Sequence, residues 1–234
     1  TEHEVLFVGD CEVYENFSPI TLYEEYGISS YIRGSAQQLA WQSYYLLEDT
    51  LRYETPKAVV FNVLALKYDE PQSEAYNRMT IDGMKFSKTK LNAVKASMTD
   101  RENMLDYIFP ILRYHSRWSD LSGEDVKYMF RKDKISHNVY YMRIDVRPVK
   151  EFPEPDILAD YTLGSYAMGY LDKMRELCEE KGIALILVKS PSLFPHWYDE
   201  WDEQIAAYAK EYGLDYFNYE KLADAVGIDY NTDT

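Results

Sequence analysis

Residues 5–19 read VLFVGDCEVYENFSP. Val5 to Val8 is a continuous apolar run, and Gly9-Asp10-Cys11 ends it abruptly. A short apolar run closed by glycine has the character of a buried strand in a parallel sheet. A plain turn would need only the glycine. A carboxylate and a thiol delivered at the same point suit the carboxyl edge of an α/β sheet, where ligands bind and reactive side chains are presented. Cys11 is then either such a side chain or a small residue filling a pocket at the strand end, as buried free cysteines commonly do.

Working outward, Ser18-Pro19 is a helix start, with Ser as N-cap and Pro in the first turn, leading into ITLYEEY and stopped by Gly27. Residues 28–33 (ISSYIR) form a short strand that closes at Gly34, and Ser35 caps a long helix over 36–54. Thr55-Pro56 ends that helix, and KAVVFNVLALK (57–67) is the clearest buried strand, with Asn62 inside it. From about 68 to 161 the rhythm breaks into helical stretches near 87–98 and 102–114, mixed short segments and the stiff loop EFPEPD. An excursion of this length belongs to lids and binding elements. The alternation resumes with a helix over 165–182 ended by Gly182, the strand IALILVKSP, a helix over 197–213 and the strand LDYFNYE. Strands alternating with helices imply right-handed crossovers and a parallel sheet. The expected fold is one α/β domain over 1–234, a three-layer α/β/α sandwich with a large, mostly helical insertion at about 68–161.

Composition narrows the function. Hydrophobic content of 46% is that of a globular chain, and no apolar run is long enough to cross a bilayer. The net charge of -15 argues against a nucleic-acid partner, which needs clustered Lys and Arg. That charge is uneven: residues 85–150 carry 14 Lys+Arg against 8 Asp+Glu, a local +6, which leaves -21 for the remainder. The asymmetry fits either an anion-binding insertion or an ordinary solvated surface. Two distant cysteines make no disulfide framework, and Cys178 falls at helical spacing with Leu171, Met174 and Leu177, in a core position. There is no metal-binding spacing and no phosphate loop, so no metal or cofactor is expected.

Four histidines are present. His3 precedes the first strand. His115 lies in RYHSRW between Arg113 and Arg117, which share one face of a helix or one side of an extended segment. The trio is either a clamp for a carboxylate, phosphate or sugar acid, or a set of basic residues offsetting a helix dipole. His196 follows the strand IALILVKSP and is either a base reaching the carboxyl edge or a member of the aromatic cluster with Trp197, Tyr198 and Trp201. The 23 tyrosines suit sugar stacking as well as wet core edges.

Gly9-Asp10-Cys11 at the end of a first strand resembles the first sequence block of the SGNH (GDSL-type) hydrolase superfamily, where the motif is Gly-Asp-Ser. VLFVGDCEVYENFSP, YIRGSAQQ and the strand–insertion–strand layout are similar to its extracytoplasmic acyltransferase-like branch, which includes alginate O-acetyltransferases and the teichoic acid D-alanyl transfer protein. The resemblance implies Cys11 as nucleophile, with the backbone N–H groups of Cys11 and Gly34 as oxyanion donors. Asn62 is the nearest counterpart of the third-block asparagine. Asp10, Arg113, His115, Arg117 and His196 are then candidate substrate contacts. The family's closing Asp and His, a few residues apart after the last strand, have no counterpart up to Thr234, and the expectation is that the chain is cut short of them.

The function so implied is an esterase or O-acyltransferase acting on acyl groups of a cell-envelope glycan. Its substrate is a glycan or small acyl ester, its partner a membrane-bound acyl-transfer protein, and its location extracytoplasmic, anchored through a segment outside this chain. The rival is a catalytically inactive glycan-binding module on the same scaffold. A thiol is a competent replacement for serine, but Asp10 and Glu12 beside it would raise its pKa if their side chains face the sulfur.

Overall fold

The computed structural model describes residues 3–109, 122–130, 139–140, 154–192 and 194–230. In chain order the elements are β1 (Val5–Gly9), α1 (Cys11–Asn16), α2 (Pro19–Tyr26), β2 (Ser30–Gly34), α3 (Ala40–Thr50) and β3 (Ala58–Asn62). A 3₁₀ turn over Val63–Lys67 follows, then α4 (Glu74–Ile81), α5 (Lys88–Ser97), α6 (Met104–Ile108) and α7 (Gly123–Phe130). The chain continues through α8 (Ser165–Lys181), β4 (Ala184–Lys189), α9 (Asp199–Tyr212), β5 (Asp215–Asn218) and α10 (Ala223–Val226).

The strands form one parallel sheet in the order β2-β1-β3-β4-β5. Strand alternation sorts its side chains into two faces. Leu6, Val8, Val59, Phe61, Leu185 and Leu187 turn to one side and pack with Trp41 and Leu47 of α3, Leu171 and Met174 of α8 and Ile205 of α9. Phe7, Val60 and Val188 turn to the other, against Val13 of α1, Phe17 just after it and Leu22 of α2. Because both faces are covered, the central strands β1, β3 and β4 are apolar at nearly every position rather than alternating, and the architecture is the α/β/α sandwich expected. Cys178 is fully buried in the larger core, as its spacing indicates. Leu46 of α3 joins Ile81, Ala93, Val94 and Tyr107 in a satellite core, which docks α4 to α6 onto the outside of the α3 layer.

Local chemistry explains the boundaries. Ser18 Oγ accepts from Thr21 N–H, Pro19 opens α2, and Gly27 closes it in the left-handed conformation. Gly182 ends α8 in the same way. Two expectations need correction. The apolar run 57–67 is not one strand: Asn62 Oδ1 accepts from Leu64 N–H and turns the chain into the 3₁₀ segment, so Asn62 is the last residue of β3. Short apolar runs do not separate buried strand from buried turn. The long helix starts at Ala40, not after Ser35, because Ser35 is bonded to Thr80 and Gln38 instead of capping a helix. Helix α1 was not legible, since its six residues carry too little periodicity. The helical stretch near 102–114 is described only as far as 109, and there it is the five-residue α6.

β1 and β2 end on the facing pair Gly9 and Gly34. A Cβ at Gly34 would lie 2.5 Å from Val13 Cγ2 and within 3.3 Å of the Asp10 and Gly9 carbonyl oxygens. Glycine here is what lets the β1–α1 turn lie against β2. Gly27, by contrast, has φ +70° and open space around it. Gly34→Ala is therefore expected to destabilise by about 2–3 kcal/mol through overpacking, and Gly27→Ala by about 1 kcal/mol through backbone conformation alone. Urea unfolding of the two variants checks the order.

Candidate functional site at the carboxyl edge of the sheet

The chain leaves β1 toward β2 on one side and returns to β3 on the other. The carboxyl ends of β1 and β3 are thus the switch point of the sheet, where ligands of open α/β folds bind. Gly9-Asp10-Cys11 is at that point. Asp10 is buried and caps α1, its Oδ1 accepting from Glu12 N–H at 3.1 Å. Cys11 is the first residue of α1 and is half-buried.

Glu12 turns inward and meets Lys189, the last residue of β4, which is 0% exposed. Lys189 Nζ stands 3.0 and 3.2 Å from the two Glu12 carboxylate oxygens, 2.5 Å from Ser190 O and 3.0 Å from Ser192 Oγ. Ser192 Oγ donates to Glu12 Oε1 at 2.5 Å. Asn62 Nδ2 donates to Glu12 Oε2 at 2.8 Å and to Ser190 Oγ at 2.9 Å. An ammonium has three protons, and here the carboxylate, a carbonyl and a hydroxyl take them. Glu220 lies just outside, with Oε2 3.6 Å from the same Nζ. The network ties the carboxyl ends of β1, β3 and β4 together.

The electrostatics around Cys11 are acidic. Burial first, then Asp10, Glu15 and Glu12, push its thiol up to about 12. The acidic neighbours thus act in the direction that would weaken a thiolate. Burial, and next Glu12, raise the Asp10 carboxyl to about 7, with the Glu12 N–H, Lys189 and Lys67 pulling the other way. Lys67, at the end of the 3₁₀ turn, is lowered by burial and supported by Asp10, Glu12 and Cys11. Its Nζ lies 4.6 Å from the Tyr68 ring centroid.

Of the residues singled out by sequence, Asp10, Cys11, Gly34 and Asn62 come together at this edge. Both Asn62 amide hydrogens are engaged within the protein, so as found it orders Glu12 and Ser190 rather than facing open space. His196 sits edge-on to Tyr198, with centroids 4.8 Å apart; the Glu220 carboxyl nearby is raised, chiefly by burial. Arg113, His115 and Arg117 lie outside the described residues. Sequence reasoning missed Lys67, Lys189, Ser190 and Ser192, and took Glu12 only as a neighbour of the thiol. The available signal was a lysine ending each of two apolar runs, VLALK and ALILVK. Among the described residues no cluster of His, Cys, Asp and Glu is arranged to hold a metal ion, and no helix is long and apolar enough to cross a membrane.

Removing one member of a buried ion pair leaves an uncompensated charge, whereas replacing both with apolar groups can be nearly neutral. Lys189→Met is expected to destabilise by about 3–5 kcal/mol. The double variant Glu12→Leu/Lys189→Met should recover most of that loss, as read by urea unfolding. Asp10 gives a separate pH signature. Its carboxyl is raised on folding from an ordinary 3.8 to about 7, so its contribution is full below about pH 3.8 and is lost as pH rises through 7. Asp10→Asn keeps an oxygen for Glu12 N–H and cannot ionise. Its stability relative to wild type should therefore rise between pH 4 and pH 8, where a simple loss of the cap would give a constant deficit.

No family model, no curated protein and no solved structure matches this chain.

Proposed function

We propose that the chain is an SGNH-like esterase or O-acyltransferase acting on acyl groups of a cell-envelope glycan, with Cys11 as the atom that accepts the acyl group. The observation that carries this reading is the placement of Cys11 directly after β1 at the switch point of the sheet, beside Asp10 and Lys67. A thiol held near 12 is not a standing thiolate. It resembles a serine hydroxyl in needing a base at the moment of attack. Asp10, titrating near 7, is the carboxylate best matched to that task. In the proposed step Cys11 Sγ bonds to the ester carbonyl carbon, the alkoxy C–O bond breaks, and the thiol proton passes through Asp10 to the departing alkoxide. A water or sugar hydroxyl then releases the acyl group from sulfur. The backbone N–H groups of Cys11 and Gly34 serve as oxyanion donors. Asn62 could join them only by releasing Glu12 or Ser190.

The acidic surroundings of Cys11 favour one rival, a glycan-binding module that keeps the scaffold without covalent chemistry. The two readings separate by intact mass. Incubated with an activated acetyl ester, the wild-type protein should gain one acetyl group, mapped to Cys11, that is lost with time, and Cys11→Ala should gain none. Equal labelling of both proteins, or of neither, would discard the nucleophile and leave the binding module.

A further inference from the structure

A cavity of about 450 Å³ opens beside the network, bounded by the end of α1 on one side and by the segments after β4 and β5 on the other. Its walls include Phe17, Tyr219, Tyr230 and Pro191, with Glu15 and Asn16 as polar groups. The volume is within the range of small-molecule sites, and a mostly apolar lining with a few polar groups is their usual composition. It adjoins the candidate centre: Glu15 lines the cavity and also acts on the Cys11 thiol, and Pro191 lies between Ser190 and Ser192 of the network.

We propose that this cavity seats an uncharged pyranose ring of the glycan and selects against sugars carrying a carboxylate or phosphate. The inference rests on the reading of the chain as glycan-directed and adds the class of sugar. Aromatic rings offer flat faces to the C–H side of a pyranose, while a carboxylate and an amide take its hydroxyls. Two of the rings are held by neighbours: Phe17 stacks on Phe7 with centroids 4.7 Å apart, and Tyr219 lies nearly parallel to Phe217 at 6.2 Å. The charge around the cavity has one sign. Glu15 is in the wall, no Lys or Arg is among the described lining residues, and burial, followed by Glu220, Asp224 and Glu12, makes the Tyr230 hydroxyl harder to ionise. The cation behind them, Lys189, is fully buried with its three protons taken. An anionic sugar would be desolvated against the charge of Glu15 with no free counter-ion among the described lining residues.

The test is ligand-detected NMR on the whole chain at pH 7.5, with methyl β-D-glucopyranoside and its 6-carboxylate, methyl β-D-glucopyranosiduronate. The pair differs in one group. The glucoside should bind at least tenfold more tightly than the glucuronide. Tyr219→Ala should weaken the glucoside at least fivefold, and Glu15→Gln, an exposed change that leaves the core intact, should narrow the preference at least threefold. Binding of neither sugar, equal or tighter binding of the glucuronide, or a preference unmoved by Glu15→Gln would overturn the proposal. Cys11→Ala should bind like wild type, which keeps this outcome separate from the acyl chemistry. Sugar binding without an acetyl adduct would retain this site and discard the enzyme; an adduct without sugar binding would do the reverse.

Discussion

The carboxyl edge of the sheet is organised around a lysine without solvent. Lys189 has 0% exposure, and its charge is tolerable there only because Glu12 lies 3.0 Å away and two further oxygens complete its shell. Glu12 comes from α1, Lys189 from β4, and Asn62 of β3 bonds the carboxylate from the third side. Three chain segments far apart in sequence are thereby set in one arrangement. A buried pair of this kind contributes little net stability compared with apolar packing, although removing one partner alone is costly. Here the pair's geometry fixes the first turn of α1, and with it Asp10 and Cys11.

The same arrangement sets the chemistry available. Pulling Glu12 inward brings a carboxylate near both Asp10 and Cys11, and burial acts in the same direction, so each holds its proton more tightly than in water. The usual route to a reactive cysteine, a nearby cation that lowers the thiol, is outweighed here even though Lys67 is close enough to be held up by Cys11 itself. A nucleophile at this position must work with base assistance, as a hydroxyl does. Acidity also extends to the neighbouring cavity, where Glu15 is one of the described lining residues.

Much of the scaffold was legible in the chain. VLFVG, AVVF and ALILV are apolar at every position, which only a strand covered on both faces tolerates, and the helix signals at Ser18-Pro19, Gly27 and Gly182 are local chemistry that tertiary structure had no reason to override. Errors fell where a polar side chain redirected the backbone. Asn62 ended a strand that its neighbours would have continued, and Ser35 bonded to Thr80 across 45 residues instead of starting a helix.

For the site, sequence alone determined that a glycine, a carboxylate and a thiol end the first strand, because the residues adjoin in the chain and the apolar run before them dictates the strand. It also determined that Cys178 belongs to the core. Only the tertiary structure decided that Glu12 faces Lys189, that Asn62 gives one amide hydrogen to that carboxylate and the other to Ser190, and that His196 packs edge-on to Tyr198. The physical reason is sequence distance. Glu12 and Lys189 are 177 residues apart, and the pairing exists because parallel crossovers bring the carboxyl ends of β1, β3 and β4 side by side at one edge.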